Sequence, residues 1–325
     1  MFEEHFRLTS LPFQLVPDPR FYFASSTHTR ALAHLTYGLS QGDGFIVITG
    51  EVGAGKTTLV EHLLSGLEHG THIAARIATT QLSPHALLRM IMLAFNLPYK
   101  GNDKSRMLNQ FEEFFQHSQS AGQRLLLVVD EVQNLPFSTL EELRMLSNLA
   151  TGHRTPLQTC LIGQPQFRQI ITSAKAEQLR QRIFTSYHLG ELSDAEIGGY
   201  IEHRLRVAAW SGDPTFDVGA YPAIFAHTKG IPRRINSLCS RLLLQAYLND
   251  SHIVTASDVH QVAGEWHAEL GTAGAEAASA CATASSAGTA SVAERLTSIE
   301  CKLNEQQQLL QRAFALLRHT ADAPG

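Results

Sequence analysis

The chain has 325 residues, of which 44% are apolar and 17% charged, and its net charge is −4. That is ordinary globular composition, long enough for more than one domain. The acidic balance argues against a dedicated nucleic-acid binder, which carries a basic excess. No apolar run approaches the roughly 20 residues that a bilayer-spanning helix needs.

The amino terminus, MFEEHFRLTSLPF, mixes acidic and basic residues without a long apolar run, so it reads as no signal peptide. The expectation is a soluble cytoplasmic chain, recruited to the inner membrane if it acts there. Cys160, Cys239, Cys281 and Cys301 are widely spaced with no CxxC pair, the pattern of reduced thiols.

In chain order, residues 1–44 read as a leading segment punctuated by Pro12, Pro17 and Pro19. It carries a helix from near Thr27, capped by Ser26 or Thr27, to Tyr37. Phe45 to Thr49 (FIVIT) has the pattern of a strand buried on both faces, and a helix follows from Lys56 to about Leu67. Further strands are expected at Ile73 to Ala78, Leu125 to Val129 and Leu157 to Ile162. Helices are expected at Ser83 to Phe95, Ser105 to Ser120 and Leu140 to Asn148. This alternation predicts an α/β domain over 45–192 with a mostly parallel sheet covered on both faces.

Helical patterns dominate 193–270, which predicts a small all-helical domain. In 271–290 every residue but Glu276 and Cys281 is Ala, Gly, Ser or Thr, the composition of a flexible linker. Over 291–319, Val292, Leu296, Ile299, Leu303, Leu310 and Leu317 recur at alternating four- and three-residue steps, with Gln306 and Ala313 between. That heptad pattern predicts a coiled coil or a docking helix, or an amphipathic helix folded back on its own domain.

The decisive motif is Gly50-Glu51-Val52-Gly53-Ala54-Gly55-Lys56-Thr57, with Thr58 next on the helix. It fits GxxxxGK[ST] between a buried strand and a helix, the place a phosphate-binding loop needs. Glycines let the backbone wrap so that successive amides meet phosphate oxygens, and the helix terminus adds positive charge. Lys56 is expected on the β- and γ-phosphates of ATP, and the Thr57 hydroxyl on Mg2+. The run LLLVV ending in Asp130-Glu131 supplies a second metal group, Asp130, and Glu131 to polarise the attacking water. Gln164, just past the strand LQTCLI, stands where a side chain would meet the γ-phosphate or that water. Arg180 or Arg182 could stabilise charge on the transferred group from a neighbouring subunit. In GIPRRIN, Arg233, or alternatively Arg234, opens a helix and could reach back to the nucleotide. The sixteen histidines are scattered without metal-ligand spacing, so surface or packing roles are expected.

From Phe2 to about Glu269 the chain resembles the secretion-type AAA+ ATPases related to general secretion pathway protein A. The likeness rests on FxLxxxPFxLxPDPRF at Phe6 to Phe21, the phosphate loop, VVDEVQNLP, LEELRMLSNL, IGQPQF, LRQRI, YIEHRLR and GIPRRIN. Within that group it looks most like the ATPase encoded beside exosortase and exopolysaccharide genes of PEP-CTERM systems. Many relatives read DEAQNL where Val132 stands here, a change that should not touch catalysis. The resemblance implies an AAA+ fold with a helical lid, sensor roles for Gln164 and Arg233, a trans arginine, a homo-oligomer, and a partner in export or polysaccharide assembly. The alternatives are a DNA-associated AAA+ regulator of transposition type and a non-catalytic switch. Intact Lys56, Asp130 and Glu131 argue against the latter.

Overall fold

The computed structural model describes residues 2–42, 44–67, 70–78, 81–98, 103–147 and 157–282. In chain order, α1 (Phe2–His5), α2 (Ser26–Gln41), β1 (Phe45–Gly50), α3 (Lys56–Ser65), β2 (His72–Ala78) and α4 (Pro84–Ala94) come first. Next are α5 (Lys104–Ser120), β3 (Arg124–Asp130), α6 (Phe137–Leu146), β4 (Leu157–Gly163), α7 (Gln166–Thr172), α8 (Glu177–Arg180) and β5 (Ile183–Leu189). The helical part comprises α9 (Asp194–Val207), β6 (Thr215–Phe216), α10 (Ala220–Thr228), α11 (Pro232–Leu248), β7 (Ile253–Val254) and α12 (Ala256–Ala282).

Five strands form one parallel sheet in the order β2-β3-β4-β1-β5. Its central strands read as unbroken apolar runs because both faces are covered. Phe45 and Val47, with Leu125, Leu127 and Val129, join a core completed by α4 to α8. Their neighbours Ile46 and Ile48, with Leu126, Val128, Cys160 and Ile162, join the opposite core under α2 and α3. Each fully buried aliphatic side chain contributes about 1.5–3 kcal/mol. The order places β1 between β4 and β5, so the carboxyl ends of β1, β3 and β4 lie side by side. Loops leaving that edge of a parallel sheet form a crevice.

Several elements differ from the sequence expectations. Ser25, not Ser26 or Thr27, caps α2, its Oγ accepting from the His28 amide at 3.2 Å. The edge strand β5 escaped the pattern because its burial alternates and it carries Thr185, Ser186 and His188. Helices α7 and α8 were not anticipated either. The expected all-helical part contains one short parallel pair, β6 with β7. Helix α12 runs on to Ala282, into the stretch expected to be a flexible linker; alanine is the best helix former, and the run is rich in it. The remainder of that linker and the heptad segment at 291–319 lie outside the described residues. Among the described residues Cys160 and Cys239 are buried free thiols, and burial pushes Cys160 up to about 12.

Residues 1–263 form one unit and residues 264–325 another. Within the first unit polar bonds tie the helical part to the amino-terminal strap and to the start of α2. Arg204 of α9 is 7% exposed and donates from Nε to the Pro12 carbonyl at 2.6 Å and from Nη2 to the Gln14 carbonyl at 3.2 Å. Its guanidinium also lies over the Phe21 ring, 4.7 Å from the centroid. Glu196 closes the capping box of α9 and reaches across to accept from the Ser26 amide at 2.7 Å. Burial pushes the Glu196 carboxyl up, but the amides of Ser26 and Ser193 outweigh it and hold the group down to about 2.

Candidate active site

The phosphate loop leaves β1 at Gly50 and turns through Gly53 (φ 86°) and Gly55 (φ 92°) before α3 begins. These left-handed angles are open to glycine and costly for other residues. No side chain caps α3, so its first-turn amides are left to an anionic partner. Lys56 is 7% exposed, and its ammonium donates to the Gly50 carbonyl at 2.7 Å and the Glu51 carbonyl at 2.9 Å. Burial lowers its pKa, while the negative charges of Glu131, Asp130 and Glu51 pull the other way.

Thr57 donates from its hydroxyl to Asp130 Oδ2 at 3.2 Å, joining the start of α3 to the end of β3. A hydroxyl and a carboxylate at that separation are the hard oxygen donors that Mg2+ prefers. Arg76 on β2 also donates to Asp130 Oδ2, at 2.8 Å, and its other nitrogen reaches Glu61 Oε1 at 2.8 Å. The sequence alone does not single out Arg76, since nothing in an isolated edge strand signals that its side chain meets Asp130.

Glu131 adopts a left-handed conformation (φ 52°, ψ 38°), an arrangement that costs a non-glycine residue on the order of 1–2 kcal/mol. Its Oε2 accepts from Gln133 Nε2 and from Gln164 Nε2, the latter at 3.1 Å. Gln133 Oε1 in turn accepts from the Gln164 backbone amide at 3.0 Å. The two side-chain amides therefore hold one carboxylate oxygen, and that of Gln133 also holds the Gln164 backbone. Gln164 was expected near the γ-phosphate or water, and its side chain lies directly on Glu131. Gln133 was not foreseen, although its position two residues after Glu131, in the turn leaving β3, is a signal that could have raised it.

The helical part covers the loop. The Arg233 amide, in the first turn of α11, donates to the Gly53 carbonyl at 3.1 Å. A Cβ on Gly53 would lie 2.4 Å from Arg233 Cβ, so the glycine permits the approach. Gly230 is equally constrained: a Cβ there would lie 2.1 Å from the Leu192 carbonyl oxygen. The crevice between is lined by the loop, the strap residues Leu15 and Val16, Tyr200 and Asn236. Thr58 lines the same crevice. Tyr200 donates to Asn236 Oδ1 at 2.8 Å beneath it. His28 backs the loop, its Nδ1 2.7 Å from Ser25 Oγ, and burial pushes it down to about 4.

Arg180 and Arg182 are not brought to this crevice. They precede β5, and the Arg182 carbonyl accepts from the Phe45 amide at 2.8 Å, at the amino end of the strands. The phosphate loop lies at the other end of β1, so neither arginine reaches the site of its own chain.

The uncapped helix terminus and Lys56 offer donors of the kind that suit phosphates, and the Thr57 hydroxyl and Asp130 carboxylate offer oxygens of the kind that suit Mg2+. Residues 39–171 match the family described as AAA domain. General secretion pathway protein A of Aeromonas hydrophila is 38% identical over 266 residues, covering 82% of this chain and 48% of that protein. The chain thus spans about half the length of that relative. Among solved structures, Cdc6p from Pyrobaculum aerophilum has TM-score 0.60 at 16% identity, covering 77% of this chain and 71% of that one. The ORC2 protein of Aeropyrum pernix in its ADP form has TM-score 0.57 at 16% identity, covering 74% and 67%. With its parallel sheet, phosphate loop and adjoining helical part, the chain has the AAA+ P-loop NTPase fold, carries an ATPase-type AAA domain over residues 39–171, and is similar over most of its own length to general secretion pathway protein A.

Proposed function

We propose that the chain is an ATP-driven switch or motor of an envelope export system, with exopolysaccharide assembly of the PEP-CTERM type as its specific setting. The export role is supported by 38% identity to a protein named for general secretion; the narrower setting rests on the motif likeness alone. The observation that carries the switch is the bond from Arg233 to Gly53, because whatever moves the phosphate loop must move the lid with it.

Mg-ATP, when bound, supplies the transferable phosphoryl group and neutralises its charge. Lys56 would hold phosphate oxygens in place of its two carbonyl partners. Thr57 and Asp130 would hold the cation, and Arg76 would then share or release Asp130 Oδ2. Glu131 polarises the attacking water, with Gln164 orienting it and Gln133 fixing the carboxylate. Arg233 senses the nucleotide from the lid. Arg180 or Arg182 completes the site of a neighbouring copy, so the working form is a homo-oligomer, located in the cytoplasm and peripheral at the inner membrane. No described helix is long and apolar enough to cross a membrane.

The test is genetic and biochemical together. Lys56→Ala is introduced at the chromosomal locus, and surface polysaccharide and secreted proteins are measured beside ATP binding in vitro. Loss of ATP binding with loss of polysaccharide supports the specific setting; loss of secreted protein alone supports export without it. Unchanged export with ATP binding abolished sinks the proposal. The likeness to Cdc6p and ORC2 is one of fold at 16% identity, and it lends no weight to a DNA-bound role.

A further inference from the structure

The fold brings together three side chains that no motif connects. His5 ends α1, while Asp250 and His252 sit in the turn between α11 and β7. Each offers a nitrogen or oxygen ligand atom, and the three atoms lie within 4.8 Å of one another. His5 Nε2 is 3.7 Å from Asp250 Oδ1. In a tetrahedral zinc site with bonds near 2.1 Å, adjacent ligand atoms are about 3.4 Å apart, so a small closure suffices.

Two further features point to a ligand. His5 Nε2 is buried and makes no hydrogen bond, a costly state for a polar atom unless it is given a partner. His252 Nδ1 is already engaged, 2.8 Å from Asp213 Oδ1. A carboxylate on one imidazole nitrogen fixes the tautomer and leaves the other nitrogen as a lone-pair donor, the arrangement of metal-bound histidines.

We propose that His5, Asp250 and His252 form a site for a divalent transition ion, Zn2+ foremost, with Asp213 as the supporting carboxylate. Two imidazoles and one carboxylate suit zinc, cobalt or nickel rather than Mg2+, which prefers oxygen alone. The ion would staple α1 to the turn after α11. It would thereby fix the start of the strap whose next residues, Pro12 and Gln14, are gripped by Arg204. This inference is independent of the ATPase reading.

The competing account is that ring contacts alone seat α1: His5 stacks on His252 at 5.6 Å and meets Tyr247 edge-on at 5.3 Å. The experiment uses the full chain with Cys281 and Cys301 replaced by serine in every protein, so that tail thiolates cannot take the ion. Zn2+ binding is followed by calorimetry, Co2+ by visible absorption, and thermal unfolding is recorded with zinc and with chelator. The expected result is one ion per chain and a rise in Tm with zinc. His5→Ala and His252→Ala should each weaken binding at least about tenfold, and Asp213→Asn by about tenfold. Asp130→Asn, in the nucleotide site, should leave the zinc affinity within about twofold. Circular dichroism of each variant in chelator establishes that it is folded, and His252→Gln serves if the alanine variant is not. No stoichiometric binding by the parent, or binding unchanged in both histidine variants, overturns the proposal.

Discussion

The two ends of the central sheet are built on opposite principles. At the carboxyl end, Lys56, Thr57, Asp130, Glu131 and Gln164 are held by bonds to one another or to the loop backbone, under a lid that touches Gly53. At the amino end, Arg180 is exposed and Arg182 half-buried, beside the start of β1. One end is a nearly assembled site. The other carries two arginines that touch none of it. Under the proposed function, the two arginines of one copy would complete the site of a neighbouring copy.

The largest effect is expected at the amino end. Replacing both Arg180 and Arg182 by alanine should cut ATP turnover by on the order of a thousandfold while leaving ATP binding by the single chain unchanged. Steady-state hydrolysis and nucleotide titration together would reveal it. At the carboxyl end, Glu131→Gln should reduce turnover by about a hundredfold or more while ATP binding persists; retained hydrolysis would remove Glu131 from its role.

Smaller effects sharpen the picture of that end. Gln133→Ala and Gln164→Ala each remove one donor from Glu131, and hydrogen bonds to a charged group are worth about 1.5–3 kcal/mol. Each should lower kcat about tenfold and alter the pH dependence of kcat, whereas a merely structural role would leave that profile in place. Arg204→Ala breaks the tie between strap and lid and should destabilise folding by about 2–3 kcal/mol, read by denaturant unfolding.

The smallest effect lies in acid. Glu196 has its folded pKa held near 2 against an ordinary value of 4.5. Its contribution is therefore present above about pH 4.5 and lost as the pH falls toward 2. His28, held near 4 against 6.5, acts in the same direction. The unfolded chain takes up that proton first, so stability falls between pH 6.5 and 4. Glu196→Gln should flatten the lower part of the stability profile and leave the upper part unchanged.

Much of this was legible before the structure because local chemistry dictated it. The glycine run at Gly50 to Thr57 has few other uses, and the runs FIVIT and LLLVV could only be strands covered on both faces. Legibility failed where the cause was non-local. β5 hides among alternating polar residues because it is an edge. Arg76 meets Asp130 across neighbouring strands, and His5 meets Asp250 across nearly the whole first unit. Gln133 sits inside a segment that was read, yet its bond to Gln164 depends on how β3 and β4 line up. The alanine-rich run misled because small side chains suit both a linker and a helix, and α12 continues through its first part.

The most direct measurement mixes two inactive proteins. The Glu131→Gln chain keeps both arginines but cannot activate water, while the Arg180→Ala/Arg182→Ala chain has an intact carboxyl edge. If the site is completed between copies, a mixture should regain hydrolysis that peaks near equal proportions. A mixture as inactive as its components, at concentrations where the unaltered protein turns over ATP, would contradict a site shared between subunits.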